Sequence, residues 1–205
     1  MEIRRVAVHA AAGVGRRERR KLETRERIRA AAAELFTRHG YAAATMRQIA
    51  LRAHVGLGTL FNYAADKRDL VFLIFNEELN AMTDVALAAP RAGQPLLDQL
   101  VAVFRVHYRW LGAKPALARI LLQELTFYSS GKQAATFQGI RGRLIDGIEQ
   151  LVRRSRLFHE KEIELAARHI FFVYSASLRW WIAAPRPDPA KGVADLRRLL
   201  RLMVK

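Results

Sequence analysis

The stretch that most constrains this chain is twenty residues long, Thr45 to Ala64, and has room for two short helices and a tight turn. Thr45-Met46-Arg47-Gln48 has the Thr-x-x-Gln spacing of a capping box, in which a hydroxyl and an amide satisfy orphan N–H groups where a helix begins. The helix it opens puts Ile49, Ala50 and Ala53 on one side and is over by His54. A second short helix follows over about 57–63, with Leu60 inward and Asn62 outward. Ahead of both, a longer helix runs from about Arg17 to His39. Its Ile28, Ala32, Leu35 and Phe36 fall at i, i+4, i+7 and i+8, a single apolar stripe. Gly40 suits the left-handed residue that ends such a helix. Two short helices crossing closely on a longer one need small residues at the crossing, and Ala50 and Ala53 supply them. A helix that enters a major groove needs a small or polar outer face, and Gly58, Thr59 and Asn62 give one.

The rest of the chain keeps a helical period, with no strand-like alternation of useful length. Asp66-x-x-Asp69 has the form of another N-cap with an acid at the third position, opening a long helix that carries Leu70, Leu73, Ile74 and Leu79 toward Ala89. Pro90 to Pro95 breaks it. Further helices are expected near 95–112, 115–129, 133–156, 160–184 and 189–204, with Pro185, Pro187 and Pro189 as a stiff connector before the last.

Charge narrows the partners. The net charge is +16 and the pI near 11.2, a balance that favours nucleic acid or an acidic membrane surface. The excess is densest at the start, where residues 1–29 hold ten Lys and Arg against four Asp and Glu. A membrane-surface helix gathers its cations on one face, whereas Arg16 to Arg29 has charges all round, so that reading ranks last. The basic run Arg16 to Lys21 suits an arm lying along phosphates and a solubilising tail equally well. No cysteine is present, which excludes a disulfide scaffold, a thiolate zinc site and a cysteine nucleophile. The most apolar stretch, 170–184, contains Arg179 and falls short of the roughly 20 residues that span a bilayer. Met1 to Ala12 has no apolar run long enough for a secretory signal. A soluble, cytoplasmic protein is therefore expected. No phosphate-cradling glycine loop, His-Glu-x-x-His pair or nucleophile with its base stands out, so no catalytic residue, metal site or cofactor is expected.

In order and spacing, the N-terminal pieces strongly resemble the TetR family of one-component regulators. The similarity runs over roughly Thr24 to Phe75: Leu35-Phe36-x-x-x-Gly40-Tyr41, then Thr45-Met46-Arg47-Gln48-Ile49-Ala50, Ala53-x-Val55, Gly58-Thr59-Leu60-Phe61-x-Tyr63 and Lys67-x-x-Leu70. The resemblance implies an all-α fold, an N-terminal three-helix helix-turn-helix DNA-binding domain followed by a larger helical ligand-binding and dimerisation domain. It implies boundaries of 1–20 for a basic arm, 21–68 for the DNA-binding domain and 69–205 for the effector domain. Thr45 would cap its helix and touch a phosphate; Thr59, Tyr63 and Lys67 would meet phosphates or the groove. Arg47, Leu57, Gly58 and Asn62 would lie near base edges, Asn62 reading them by hydrogen bonds. Two positions depart from the family's pattern. Ala64 stands where an aromatic is common, and His54 replaces a glycine of the turn, although histidine tolerates positive φ better than most residues.

The expected partners are double-stranded DNA with a palindromic operator, a second copy of the chain and a small-molecule effector. The helix near 160–184 is apolar on nearly every face from Ile170 to Trp181, and the last carries Leu196, Leu199, Leu200 and Met203 as a stripe. Together they suit a four-helix dimer interface or a monomeric core. An effector pocket for a hydrophobic or aromatic ligand is sought among Phe104, His107, Tyr108, Leu121, Glu124, Phe127, Tyr128, Phe137, Phe171 and Tyr174, residues that would equally form an ordinary core. The function expected is a sequence-specific regulator, a repressor released by its effector. The competing readings are an architectural helix-turn-helix protein with no effector and, behind it, an all-helical enzyme.

Overall fold

The computed structural model describes residues 15–126 and 128–204. Within them the chain forms nine α-helices and one 3-10 turn, with no strand, so the all-α expectation holds. The chain divides into two compact units, one ending at Tyr63 and the other beginning at Ala64.

The first unit contains α1 (Arg16–His39), α2 (Met46–Arg52) and α3 (Leu57–Tyr63). The first helix begins at Arg16, within a residue of the start its period suggests, so Arg16 to Arg20 of the basic arm are helical; residues 1–14 of that arm lie outside the described residues. Glu18 sits in the first turn, where an acid offsets the helix dipole, and pairs with Lys21 at 3.8 Å. Ile28, Ala31, Ala32 and Phe36 of α1 are buried, as are Ile49 and Ala50 of α2 and Leu60 of α3. The capping box forms as expected. The Gln48 N–H donates to Thr45 Oγ1 at 3.2 Å, and the Thr45 N–H donates to Gln48 Oε1 at 2.9 Å, a cap worth about 1 kcal/mol. His54 takes φ of 53° in the turn, so the histidine does adopt the conformation for which glycine is the usual residue. The turn closes through Val55 N–H to the Ala50 carbonyl at 3.0 Å. Ala64, the other departure, is fully buried.

The second unit is built around α4 (Lys67–Ala88), whose residues Leu70 through Phe75 are buried on every face. A helix without a wet side belongs at the centre of its domain. Against it pack α5 (Leu96–Gly112), α6 (Pro115–Glu124) and α7 (Ala134–Ser155). The helix α8 (Ile163–Ile182), entered through a 3-10 turn at Glu160–Glu162, lies on α7, and α9 (Pro189–Arg201) lies on α5 and α8. Two helices end earlier than their periodicity suggests, α9 at Arg201 and α6 at Glu124 rather than near residue 129. For α6 the reason is a competing partner. Backbone N–H groups of Lys132 and Gln133 donate to the Asp69 carboxylate at 2.9 and 3.2 Å, and the Tyr128 hydroxyl donates to it as well. The chain from Tyr128 to Gln133 is thus tied to α4 instead of extending its own helix. Gly131, at φ of 124°, is required here, since a Cβ would lie 2.5 Å from Asp69 Oδ1.

Candidate nucleic-acid face and ligand cavity

In the first unit, Thr59 and Asn62 of α3 and Arg47 of α2 are exposed, and none has a hydrogen-bond or ion-pair partner among the described residues. A Cβ added at Gly58 would meet nothing within 4 Å. The fold therefore has no use for the glycine; its small size matters only to something that approaches from outside. Leu57 is half-buried. Tyr63, also half-buried, donates its hydroxyl to the Lys21 carbonyl at 3.2 Å and so anchors the end of α3 to α1. The Thr45 hydroxyl is engaged in its cap. Arg27 reaches the His54 carbonyl at 3.5 Å and Arg52 pairs with Glu34 at 2.8 Å, which fixes α2 and the turn on α1. Residues 15–63 carry eleven Lys and Arg against four Asp and Glu, a field that attracts a polyanion. Lys67 is the first residue of α4, half-buried, in the second unit.

In the second unit, side chains of α4 to α8 line a cavity of about 300 Å³ that opens to the surface, large enough for a small organic ligand. Of the residues sought from the sequence, His107, Leu121, Phe137, Phe171 and Tyr174 border it. Four others have packing partners elsewhere. Phe104 is fully buried and stacks on Tyr174, centroids 4.2 Å apart. Tyr108 shares a 2.8 Å hydrogen bond with Ser177, and burial pushes its phenol up to about 12. Glu124 faces Arg68, whose Nε is 3.8 Å from its carboxylate and donates to its carbonyl at 2.8 Å. Tyr128 stacks on Phe72 at 3.6 Å and donates to Asp69. Phe127 lies outside the described residues.

His107 is the unusual member of the lining. It is 2 % exposed, and neither ring nitrogen has a hydrogen-bond partner. Burial brings its pKa down to about 4 against a smaller upward pull from the Val103 carbonyl one turn back, which lies near the ring without meeting hydrogen-bond geometry, so the imidazole is neutral at physiological pH. Leaving a buried polar group unsatisfied costs about 1–3 kcal/mol. The charged residues bordering the cavity are Arg141 and Arg179. Arg141 is exposed, and Arg179 donates to the Ser175 carbonyl at 3.3 Å.

The family model described as "Bacterial regulatory proteins, tetR family" matches residues 28–74, the span that holds α2, α3 and the start of α4. The match falls on the DNA-binding region of that family's regulators and covers less than a quarter of this chain. An HTH-type transcriptional regulator of Staphylococcus aureus is 37% identical over 59 residues, 29% of this chain. The chain spans about a third of that relative's length, 32%. The whole-chain likeness comes from solved structures. One is the Thermus thermophilus FadR, a TetR-family transcriptional repressor in complex with lauroyl-CoA, at a TM-score of 0.65 and 26% identity over 86% of this chain and 93% of that one. The Bacillus subtilis FadR in complex with stearoyl-CoA has a TM-score of 0.67 at 20% identity, covering 88% and 97%, and this likeness is one of fold.

The sequence pointed to the exposed face of α3 but missed much of the cavity. Beside Phe137, which was sought, Ile140, Arg141 and Leu144 follow at i+3, i+4 and i+7 on α7, a stripe that the period alone would have exposed. Asp69 was visible only as an acid in a first turn. That it is buried, 1 % exposed, and collects N–H groups from Lys132 and Gln133, more than sixty residues away, as well as from nearby Ala65 is something no local pattern carries. Burial alone would raise the Asp69 pKa, but these donors and Tyr128 together hold it below the usual carboxylate range. Among the described residues no cluster of side chains suits a metal ion, and no helix is long and apolar enough to cross a membrane.

Proposed function

We propose that this protein is a sequence-specific, DNA-binding transcriptional regulator that acts as a homodimer and, as a repressor, is released by a small hydrophobic effector. The observation that carries the reading is the outer face of α3, where Thr59 and Asn62 stand exposed and unpartnered beside a glycine the fold does not need. Asn62 can bond bidentately to an adenine edge, Arg47 to a guanine or a phosphate, and Gly58 leaves room for backbone approach. Thr45, Thr59, Tyr63 and Lys67 supply phosphate or groove contacts, and Leu57 an apolar one.

Dimerisation is supported by apolar side chains left at the surface of the last two helices. On α8, Leu165, Phe172 and Trp180 are 69, 59 and 87 % exposed, at i, i+7 and i+15; on α9, Leu199 and Leu202 are 44 and 79 % exposed. A helix apolar on its own domain's side and again on its outer side fits a four-helix interface with a twin. Two copies would set two recognition helices against successive major grooves of a palindromic site. The cavity is the effector site of this reading. Its apolar walls suit an acyl or aromatic group, and the two FadR structures hold acyl-CoA. Release follows if the ligand binds one arrangement of the protein better than the other.

The deciding experiment is a titration of the protein into DNA from its own upstream region and into a scrambled duplex at physiological salt. Saturable binding to the upstream fragment alone, weakened about tenfold or more by Asn62→Ala, is the expected result. Equal, weak binding to both duplexes that collapses as salt rises is the purely electrostatic outcome and would favour an architectural protein.

A further inference from the structure

The cavity contradicts itself as an ordinary core. Its walls are apolar, yet they include an imidazole with no partner on either nitrogen. Native interiors rarely leave such a group unsatisfied, and one that persists points to a partner absent from the protein itself. Of the other polar side chains at the wall, Thr83 already donates to the Leu79 carbonyl at 2.8 Å, and the buried Tyr174 phenol borders the cavity beside His107, ring centroids 5.4 Å apart. Charge is also one-sided: Arg141 and Arg179 border the cavity, and no acidic side chain does.

We propose that the ligand of this cavity is an amphipathic anion with an apolar body that carries one uncharged oxygen function, a hydroxyl or carbonyl, hydrogen-bonded to His107, and with its negative end at Arg141 and Arg179. The inference rests on the cavity being the effector site. His107 is the group that selects the ligand's oxygen. A neutral imidazole both donates and accepts, so it serves a hydroxyl through either nitrogen and a carbonyl through its N–H. A carboxylate at the same place would be a buried charge facing an apolar wall and an uncharged ring, which is strongly unfavourable. The arginines provide the cationic end that the ring cannot. An unsubstituted chain would fill the apolar volume and leave both His107 nitrogens unsatisfied, and a site built to hydrogen-bond a polar group discriminates against the analogue that lacks it.

The test uses the full-length protein and four probes: decanoate and three hydroxydecanoates, with the hydroxyl beside the carboxylate, in mid-chain or at the far end. Calorimetric titration measures each affinity for the wild type, His107→Leu and His107→Asn. The wild type is expected to bind at least one hydroxydecanoate about tenfold more tightly than decanoate. His107→Leu should bind decanoate and lose that preference, while His107→Asn, which keeps a donor and an acceptor, should retain part of it. Arg141→Gln and Arg179→Gln should weaken all four probes alike. If decanoate and every hydroxydecanoate bind the wild type equally, or if His107→Leu keeps the preference, the inference fails while the cavity stands as a ligand site. Binding of none of the four overturns both.

Discussion

Arg47, Thr59 and Asn62 in the first unit have no protein partner and stand in water, whereas His107 in the second has none and is enclosed by apolar walls. The same lack of a partner has different energetic meanings. At the surface, solvent satisfies the group, and leaving it unpaired costs the fold almost nothing. Inside, the group has surrendered its hydration and received nothing in return. A face left to water can therefore be kept open without loss of stability, but a polar group kept open inside a cavity weakens the protein. Asp69 gives the contrast within the second unit. It is as buried as His107, yet three backbone N–H groups and the Tyr128 hydroxyl surround it, and its burial contributes stability.

The largest effect is expected from Asp69→Asn. The amide places a donor where backbone N–H groups now point, so unfolding in urea should show a loss of about 3 kcal/mol or more. A change within about 0.5 kcal/mol, the range of ordinary surface substitutions, would mean the carboxylate does not anchor the 128–133 segment to α4.

Next comes the pH dependence of His107. Its folded pKa of about 4 lies below the unfolded value near 6.5. Between these values the unfolded chain binds more protons, so stability falls as pH drops from about 6.5 to 4, by about 3 kcal/mol in all. His107→Leu should remove that slope. Asp69, whose pKa is lowered from 3.8, acts in a separate window: the stability it contributes is lost only as pH falls below about 4. A wild-type profile identical to that of His107→Leu between pH 6.5 and 4 would show that the ring is not buried and unpartnered as described.

The smallest effect belongs to Gly58→Ala. No atom of the protein lies within 4 Å of the added methyl, and alanine is favoured over glycine in a helix by about 0.5–1 kcal/mol. Thermal unfolding should thus rise slightly while operator affinity falls. Unchanged affinity would remove Gly58 from the DNA-facing surface.

The capping box at Thr45, the short helices, the small residues at Ala50 and Ala53, and the tolerance of His54 for the turn were all legible in the sequence. Each is a local matter: a side chain acting on backbone three residues away, or a period that brings residues of one helix to one face. The exposed face of α3 was legible for the same reason, since its residues are seven or fewer apart. The early end of α6, the role of Asp69 and the choice of which aromatics border the cavity were decided by the tertiary structure. Phe104, Tyr108 and Tyr128 have the same composition and spacing as cavity residues, but their rings are taken by Tyr174, Trp181 and Phe72. Which aromatic meets another and which faces empty space depends on how separate helices stack, and helical periodicity reports only the face of its own helix.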